Sequence, residues 1–170
     1  MRPTIALLLL AACSTNDGFT GGGLALDDVE NIPAGNGTGT RASGDYELEM
    51  LTVDCRGRCP VVHDGIFSAS TCDINELDYP DVEVTQTDGV LSMDADGLLL
   101  DRLTGGIDAD GSFVVGAWGT ESGIGVFLRS TGTLDGDHFT ATAEAHGIGI
   151  VDGVTIDCTG IFEITGERVR

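Results

Sequence analysis

The sequence predicts an all-β fold, an antiparallel up-and-down meander closed into an eight-stranded barrel. Three observations carry this. Between Val82 and Val169, short apolar and polar alternations are separated repeatedly by Asp-Gly: Asp88-Gly89, Asp96-Gly97, Asp110-Gly111, Asp135-Gly136 and Asp152-Gly153. Asp-Gly between alternating runs is a strong hairpin signal, because a two-residue type I′ turn needs positive φ and matches the strand twist. Composition agrees, since 26 glycines against 5% aromatics suits a turn-rich β-fold with a thin or partly hollow interior rather than a helical bundle. The strand count is even, so the first and last strands run antiparallel and can pair, which removes the edges.

Taken in order, the domain begins with a strand from Asp45 to Cys55, where Tyr46, Leu48 and Met50 alternate with Glu47 and Glu49. The apolar phase then shifts to Leu51 and Val53, which predicts a bulge near Met50. From 56 to 81 the pattern fails: two cysteines, two prolines and one short strand at Gly65 to Ala69 read as a long stapled loop. The meander follows, with strands near Val82–Thr87, Val90–Ala95, Leu98–Asp108, Ser112–Trp118, Ile124–Leu134, Asp137–Ile150 and Val154–Gly166. On the sixth and seventh of these the faces are plain, Phe139, Ala141, Ala143 and Ala145 on one, and Ile156, Cys158, Gly160, Phe162 and Ile164 on the other. An internal repeat pairs Gly106–Phe113 with Gly132–Phe139, each copy spanning one hairpin.

Ahead of the domain, Met1 to Ala12 carries Arg2 and then an apolar run that stops at Cys13. It is too short to cross a bilayer and has the order of a secretory signal. The quartet Leu10-Ala11-Ala12-Cys13 resembles the lipobox of bacterial lipoproteins. That resemblance implies a signal peptide over residues 1–12 and a lipid on Cys13. With Ser14 next, it implies a bacterial cell-envelope protein anchored in the outer membrane. Residues 13–43 then form a flexible Gly-rich tether, with a reach of roughly 30 Å for about thirty residues of coil, and residues 44–170 the barrel. The domain also resembles the calycin-type barrels, the group of lipocalins and avidins. Gly44-Asp45-Tyr46 stands where those families open their first strand with Gly-x-Trp, and Arg168 follows the last strand, where they often place an Arg.

With Cys13 set aside, Cys55, Cys59, Cys72 and Cys158 form an even set in an exported chain, read as two disulfides with three connectivities open. Barrel closure sets the end of the first strand beside the start of the last, so the expected pairs are Cys55 with Cys158 and Cys59 with Cys72. A zinc set of Cys55, Cys59 and His63 is disfavoured in an oxidising compartment.

The formal charge of −20, with all eight basic residues Arg, excludes nucleic acid as a partner. Asp94-x-Asp96-Gly97 and Asp108-x-Asp110-Gly111 look like calcium-loop fragments but read better as turns, since Gly106 and Ala117 fall at EF-hand ligand positions. His138 and His146 share a face with Glu144 but lie about 27 Å apart along a strand at ~3.4 Å per residue. Neither Ser122 nor Ser130 has a base nearby in sequence. No enzyme, metal or cofactor is expected. The expected function is a non-catalytic barrel that holds a small apolar ligand among Phe113, Trp118, Phe139 and Phe162, with the alanines of 141–145 leaving room. The alternatives are an acidic exterior that binds or inhibits a basic protein, or a passive envelope component.

Overall fold

A computed structural model describes residues 23–59, 61–64, 67–70, 72, 76–95, 100–121 and 123–169. The expected signal peptide, lipobox and tether as far as residue 22 lie outside the described residues. The described residues form one short helix, α1 (Leu26–Glu30), and ten strands: β1 (Gly44–Arg58), β2 (Val61–Asp64), β3 (Phe67–Ser70), β4 (Glu76–Thr87), β5 (Val90–Ala95), β6 (Arg102–Ile107), β7 (Ser112–Glu121), β8 (Ile124–Asp135), β9 (His138–Val151) and β10 (Val154–Arg168). Eight of them close a barrel in the order β1-β10-β9-β8-β7-β6-β5-β4, and β2 and β3 form a separate hairpin. Every neighbouring pair is antiparallel. The predicted all-β, eight-stranded meander is therefore the observed one.

Several boundaries differ for identifiable reasons. β4 begins at Glu76, so the stapled loop ends well before 81. Pro80 hid this, because proline lacks the donor a ladder needs. The strand keeps it at a bulge: the register passes from Leu48/Tyr79 to Tyr46/Val82, so Pro80 and Asp81 stand opposite Glu47 alone. The bulge expected near Met50 lies farther along, where the β1–β10 register steps from Thr52 to Asp54 and skips the exposed Val53. Of the Asp-Gly turns, Asp152-Gly153 has positive φ at both residues, 50° and 79°, as type I′ requires. At the β8–β9 turn the two-residue loop is Gly136-Asp137, and Asp135 pairs with His138 inside the ladder.

Inward-facing positions of successive strands build the core: Tyr46, Val82, Val84, Leu91, Met93, Phe113, Val115, Leu134 and Phe139 are buried together. The sequence repeat acquires a physical meaning here. Ile107 pairs with Phe113 and Leu134 with Phe139, and the two phenylalanine rings meet at 5.0 Å. The same end of the barrel is closed by Tyr46, which is fully buried and donates its hydroxyl to the carbonyl of Ala42. Arg168 lies 5.3 Å from the centre of the Tyr46 ring and donates to its hydroxyl at 2.7 Å. The two residues that carry the calycin-like resemblance are thus in contact.

The largest departure is residues 23–43, expected as free coil. They form a strap on the outside of the barrel. Leu24 and Val29 are buried, α1 packs on β7 and β8, and the Gly35 and Gly37 amides donate to the carbonyls of Gly89 and Ile107. Glycines make the close approach: a Cβ at Gly106 would lie 2.3 Å from the Pro33 oxygen, and one at Gly116 would lie 2.8 Å from Ile32. The strap docks where β6 and β7 present no side chain.

Candidate functional site

Alternation along the strands decides what points into the barrel. On β8, Ile124, Val126, Leu128, Ser130, Gly132 and Leu134 share the inner face, and on β9 so do Phe139, Ala141, Ala143 and Ala145. Most of these are buried. Others that face inward stay only half-buried, among them Leu48, Tyr79, Leu128, Ala141, Ala145 and Ile164, which pack beside the buried cores. Close packing would have covered them. Tyr79, Leu128, Ala145 and Ile164 pack against the small cluster of Met50, Ala143 and Phe162. The inner face beside this cluster carries small residues: Ala145 pairs with Gly160, and the Phe162 ring lies over that glycine, 2.8 Å from where a Cβ would stand.

Two buried hydroxyls in this region have no hydrogen-bond partner among the described residues. Ser130 is 2% exposed, and its Oγ makes no hydrogen bond; the buried Oη of Tyr79 is likewise unpaired. Ser130 is the register partner of Ala143, and Tyr79 packs on the cluster that contains Ala143, so both border one region. An unmade hydrogen bond on a buried hydroxyl costs about 1–3 kcal/mol, and such groups call for an explanation beyond packing. Burial also pushes the Tyr79 hydroxyl pKa up to about 12, because the phenolate would lose its hydration. At neutral pH both groups are therefore neutral hydroxyls, each able to donate and to accept.

The four aromatics expected at the ligand site do not stay together. Phe113 and Phe139 lie side by side in the closed end, packed among aliphatic neighbours. Phe162 belongs to a separate cluster with Met50 and Ala143. Trp118 is on the outer face, 49% exposed. Phe113, Val115 and Ala117 occupy the inner positions of β7, and parity sends Trp118 out. The sequence singles out Ser130 only as a serine without a base nearby, and does not single out Tyr79. Parity with Leu128 and Leu134 was the signal for Ser130, whereas Tyr79 was obscured by Pro80.

Two disulfides form, with the connectivity exchanged. Cys55 bonds Cys72 and Cys59 bonds Cys158, across 17 and 99 residues and Cα separations of 5.5 and 4.7 Å. The expected pairing fails because Cys158 stands opposite Gly57 while Cys55 faces Gly160. Running β1 on past the bulge brings Cys59 over Cys158, where both pack with Ile124, Val126 and Ile156. The sulfurs of Cys55, Cys59 and Cys72 lie within 4.8 Å of one another, but disulfide bonding occupies them. Asp108 and Asp110 serve the strap and the turn: Asp108 accepts from the Asn36 amide, and Asp110 from the hydroxyl and amide of Ser112. The Ser112 bonds hold the Asp110 carboxyl below its usual range.

Comparison with protein families, curated proteins and solved structures finds no match.

A second feature lies on the outer wall of β4, β1, β10 and β9, where a shallow groove is lined by Glu47, Glu49, Asp78, His138 and Glu167. The carboxylates sit in register with one another: Glu47 stands opposite Glu167, Glu49 opposite Asp78, and Asp45 opposite Glu83. Like charges directly opposite destabilise a sheet. His138, 3.5 Å from Glu167, is the one basic side chain among the described residues lining the groove.

Proposed function

We propose that the chain is an exported lipoprotein, cut before Cys13 and anchored by a lipid there. Its barrel is a non-catalytic binder of a small, mainly apolar molecule carrying a hydrogen-bonding group. The observation that carries the reading is the pair of unpaired hydroxyls, Tyr79 and Ser130, beside half-buried apolar side chains that face inward. A site of that composition, apolar walls with few convergent polar groups, is the usual make-up of a small-molecule pocket. The ligand would bury the surfaces of Leu128, Ala145 and Ile164 and complete the two hydroxyls. The contact of Tyr46 with Arg168 supports the calycin-like resemblance as far as the barrel end is concerned.

The test is binding of a fluorescent apolar probe by the full chain. Ala145→Phe, which adds bulk to the inner face beside Phe162, should abolish binding, and Ser130→Ala should weaken binding of a carbonyl-bearing probe more than that of a hydrocarbon. Affinity should stay constant between low and high salt, because the site is apolar. Binding indifferent to Ala145→Phe would overturn the proposal.

A second reading, an acidic surface that takes a basic protein, is favoured by the in-register carboxylates of the outer groove. A sheet that sets Glu47 against Glu167 and Glu49 against Asp78 gives up stability for local negative potential. Such binding would fall away by about 0.5 M salt, where the Debye length is roughly 4 Å.

A further inference from the structure

Docking of the strap changes what the N-terminal anchor can reach. The chain comes onto the barrel at Gly23, where a Cβ would lie 2.6 Å from the His146 ring. Only ten Cα–Cα steps separate Gly23 from Cys13 in the sequence. They span at most about 36 Å fully extended, and a coil of that length has a root-mean-square reach of roughly 17 Å. β10 alone, at 15 residues, runs about 50 Å at ~3.4 Å per residue. The anchor therefore selects one side of the barrel.

That side is apolar. Trp118 and Phe127 are cross-strand partners on the outer face of β7 and β8. At Gly125, beside them, a Cβ would lie 3.8 Å from the Phe127 ring and 3.9 Å from Ile148. Ile148 and Ile150 continue along the outer face of β9 from His146, whose ring centre is 6.3 Å from that of Phe127. Trp118, Ile148 and Ile150 are 49%, 47% and 66% exposed. A tryptophan beside branched aliphatics on an outer wall has the composition of an interfacial membrane contact, with an amphipathic ring at headgroup level.

We infer that the Trp118, Phe127, Ile148 and Ile150 face rests in the interface of the bilayer that holds the lipid of Cys13, so that the barrel lies on the membrane instead of hanging clear of it. The inference rests on the lipid-anchor reading. Two observations choose the bilayer over a second copy of the chain. The short link holds the membrane beside this face at high effective concentration, whereas two molecules of net charge −20 repel each other. The border of the face is acidic, with Asp157 opposite Ile148 and Asp152 at the β9–β10 turn. The surface it fits is a zwitterionic one, and anionic lipid should oppose the contact.

Trp118 is the one tryptophan of the chain, so it reports alone. The lipidated full-length protein is reconstituted into phosphatidylcholine vesicles with brominated acyl chains, and attachment is scored separately by flotation. The expected result is a blue shift and loss of Trp118 emission, together with protection from aqueous iodide. The exposed-site double variant Ile148→Asp, Ile150→Asp should still float but keep its emission and regain iodide quenching. Flotation with Trp118 unquenched by bromolipid overturns this inference and leaves the anchor standing. Shielding from iodide without bromolipid quenching points to a protein in that place and also overturns it. A chain that fails to float removes the anchor, and the inference with it.

Discussion

The Nδ1–H of His146 donates to the carbonyl of Leu24, 2.7 Å away across 122 residues of sequence, while Nε2 lies 3.0 Å from a carboxylate oxygen of Asp157. This one side chain on β9 fastens the start of the strap to the barrel, under cover, at 7% exposure. What reads as a glycine-rich linker is thereby made part of the domain.

Loss of that fastening should be local. In His146→Ala the Leu24 carbonyl loses its donor, a cost of about 1–3 kcal/mol while it stays buried, which loosens the strap at α1. Hydrogen exchange checks this: the Asp28 amide, bonded to Ala25 within α1, should exchange about tenfold faster, at ~1.4 kcal/mol per decade. The amides of Gly35 and Gly37, held farther along by Gly89 and Ile107, should change little. Equal acceleration along the whole strap would show that it undocks as one unit.

Gly106→Ala probes the other half. The new methyl would stand 2.3 Å from the Pro33 oxygen and 2.6 Å from the Gly35 nitrogen, so the strap must shift where it crosses β6. The expected pattern is the reverse of the histidine variant, with Gly35 and Gly37 exchanging faster and Asp28 protected. The β6–β7 ladder should survive, because the added group points outward.

Much of the barrel was legible because strand period and turn chemistry act locally. Alternation from Phe139 to Ala145 and the turn at Asp152-Gly153 need no tertiary context. What was hidden depended on partners far away in sequence. The glycines around 105, 106 and 116 look the same whether a strand is weak or a second chain segment lies across it. Pro80 looks like the end of a strand until a bulge is supplied by β1. Both faces of β7 are apolar, Val114 and Trp118 outside against Phe113 and Val115 inside, since the strap covers part of the outer face. Hydrophobicity alone therefore left Trp118 on the wrong side. The cysteine pairing turned on a one-residue step in the β1–β10 register, which no spacing rule contains.

The disulfides should differ in worth. In the chain-entropy model a link over about 17 residues contributes ~3 kcal/mol and one over about 99 residues ~4.7 kcal/mol. Replacing Cys59 and Cys158 together with Ser should therefore lower stability more than replacing Cys55 and Cys72, by roughly 1–2 kcal/mol in denaturant melts. Peptide mapping of the unreduced chain should recover Cys55 with Cys72 and Cys59 with Cys158. A Cys55–Cys158 peptide would contradict the observed register.

The acidic groove makes an opposite-signed prediction. Glu47→Gln removes one member of a like-charged cross-strand pair with Glu167, so stability should rise by a few tenths of a kcal/mol, up to about 1. The gain should shrink in high salt, where exposed charges are screened. If the same substitution also weakens capture of a basic protein at low ionic strength, the groove trades stability for binding. A gain in stability with unchanged capture would leave the in-register carboxylates as a solubility device.

Tyr79 gives the interior its own pH signature. Its hydroxyl is held up to about 12 in the folded protein by burial, against about 10 for a free tyrosine. The folded state therefore keeps a proton that the unfolded chain has begun to lose above pH 10. Stability falls wherever the native state binds more protons, so the contribution is fully present below pH 10 and is lost as pH rises toward 12. Alkaline melts should show this slope, and Tyr79→Phe should flatten it. The absorbance difference between the protein and Tyr79→Phe isolates the ionisation of this ring from that of Tyr46. A ligand that accepts a hydrogen bond from the Tyr79 hydroxyl favours its protonated form, so adding a carbonyl-bearing apolar probe should move that ionisation higher still. A probe that binds without moving it occupies some other place, and the interior would then need a different explanation for its two unpaired hydroxyls.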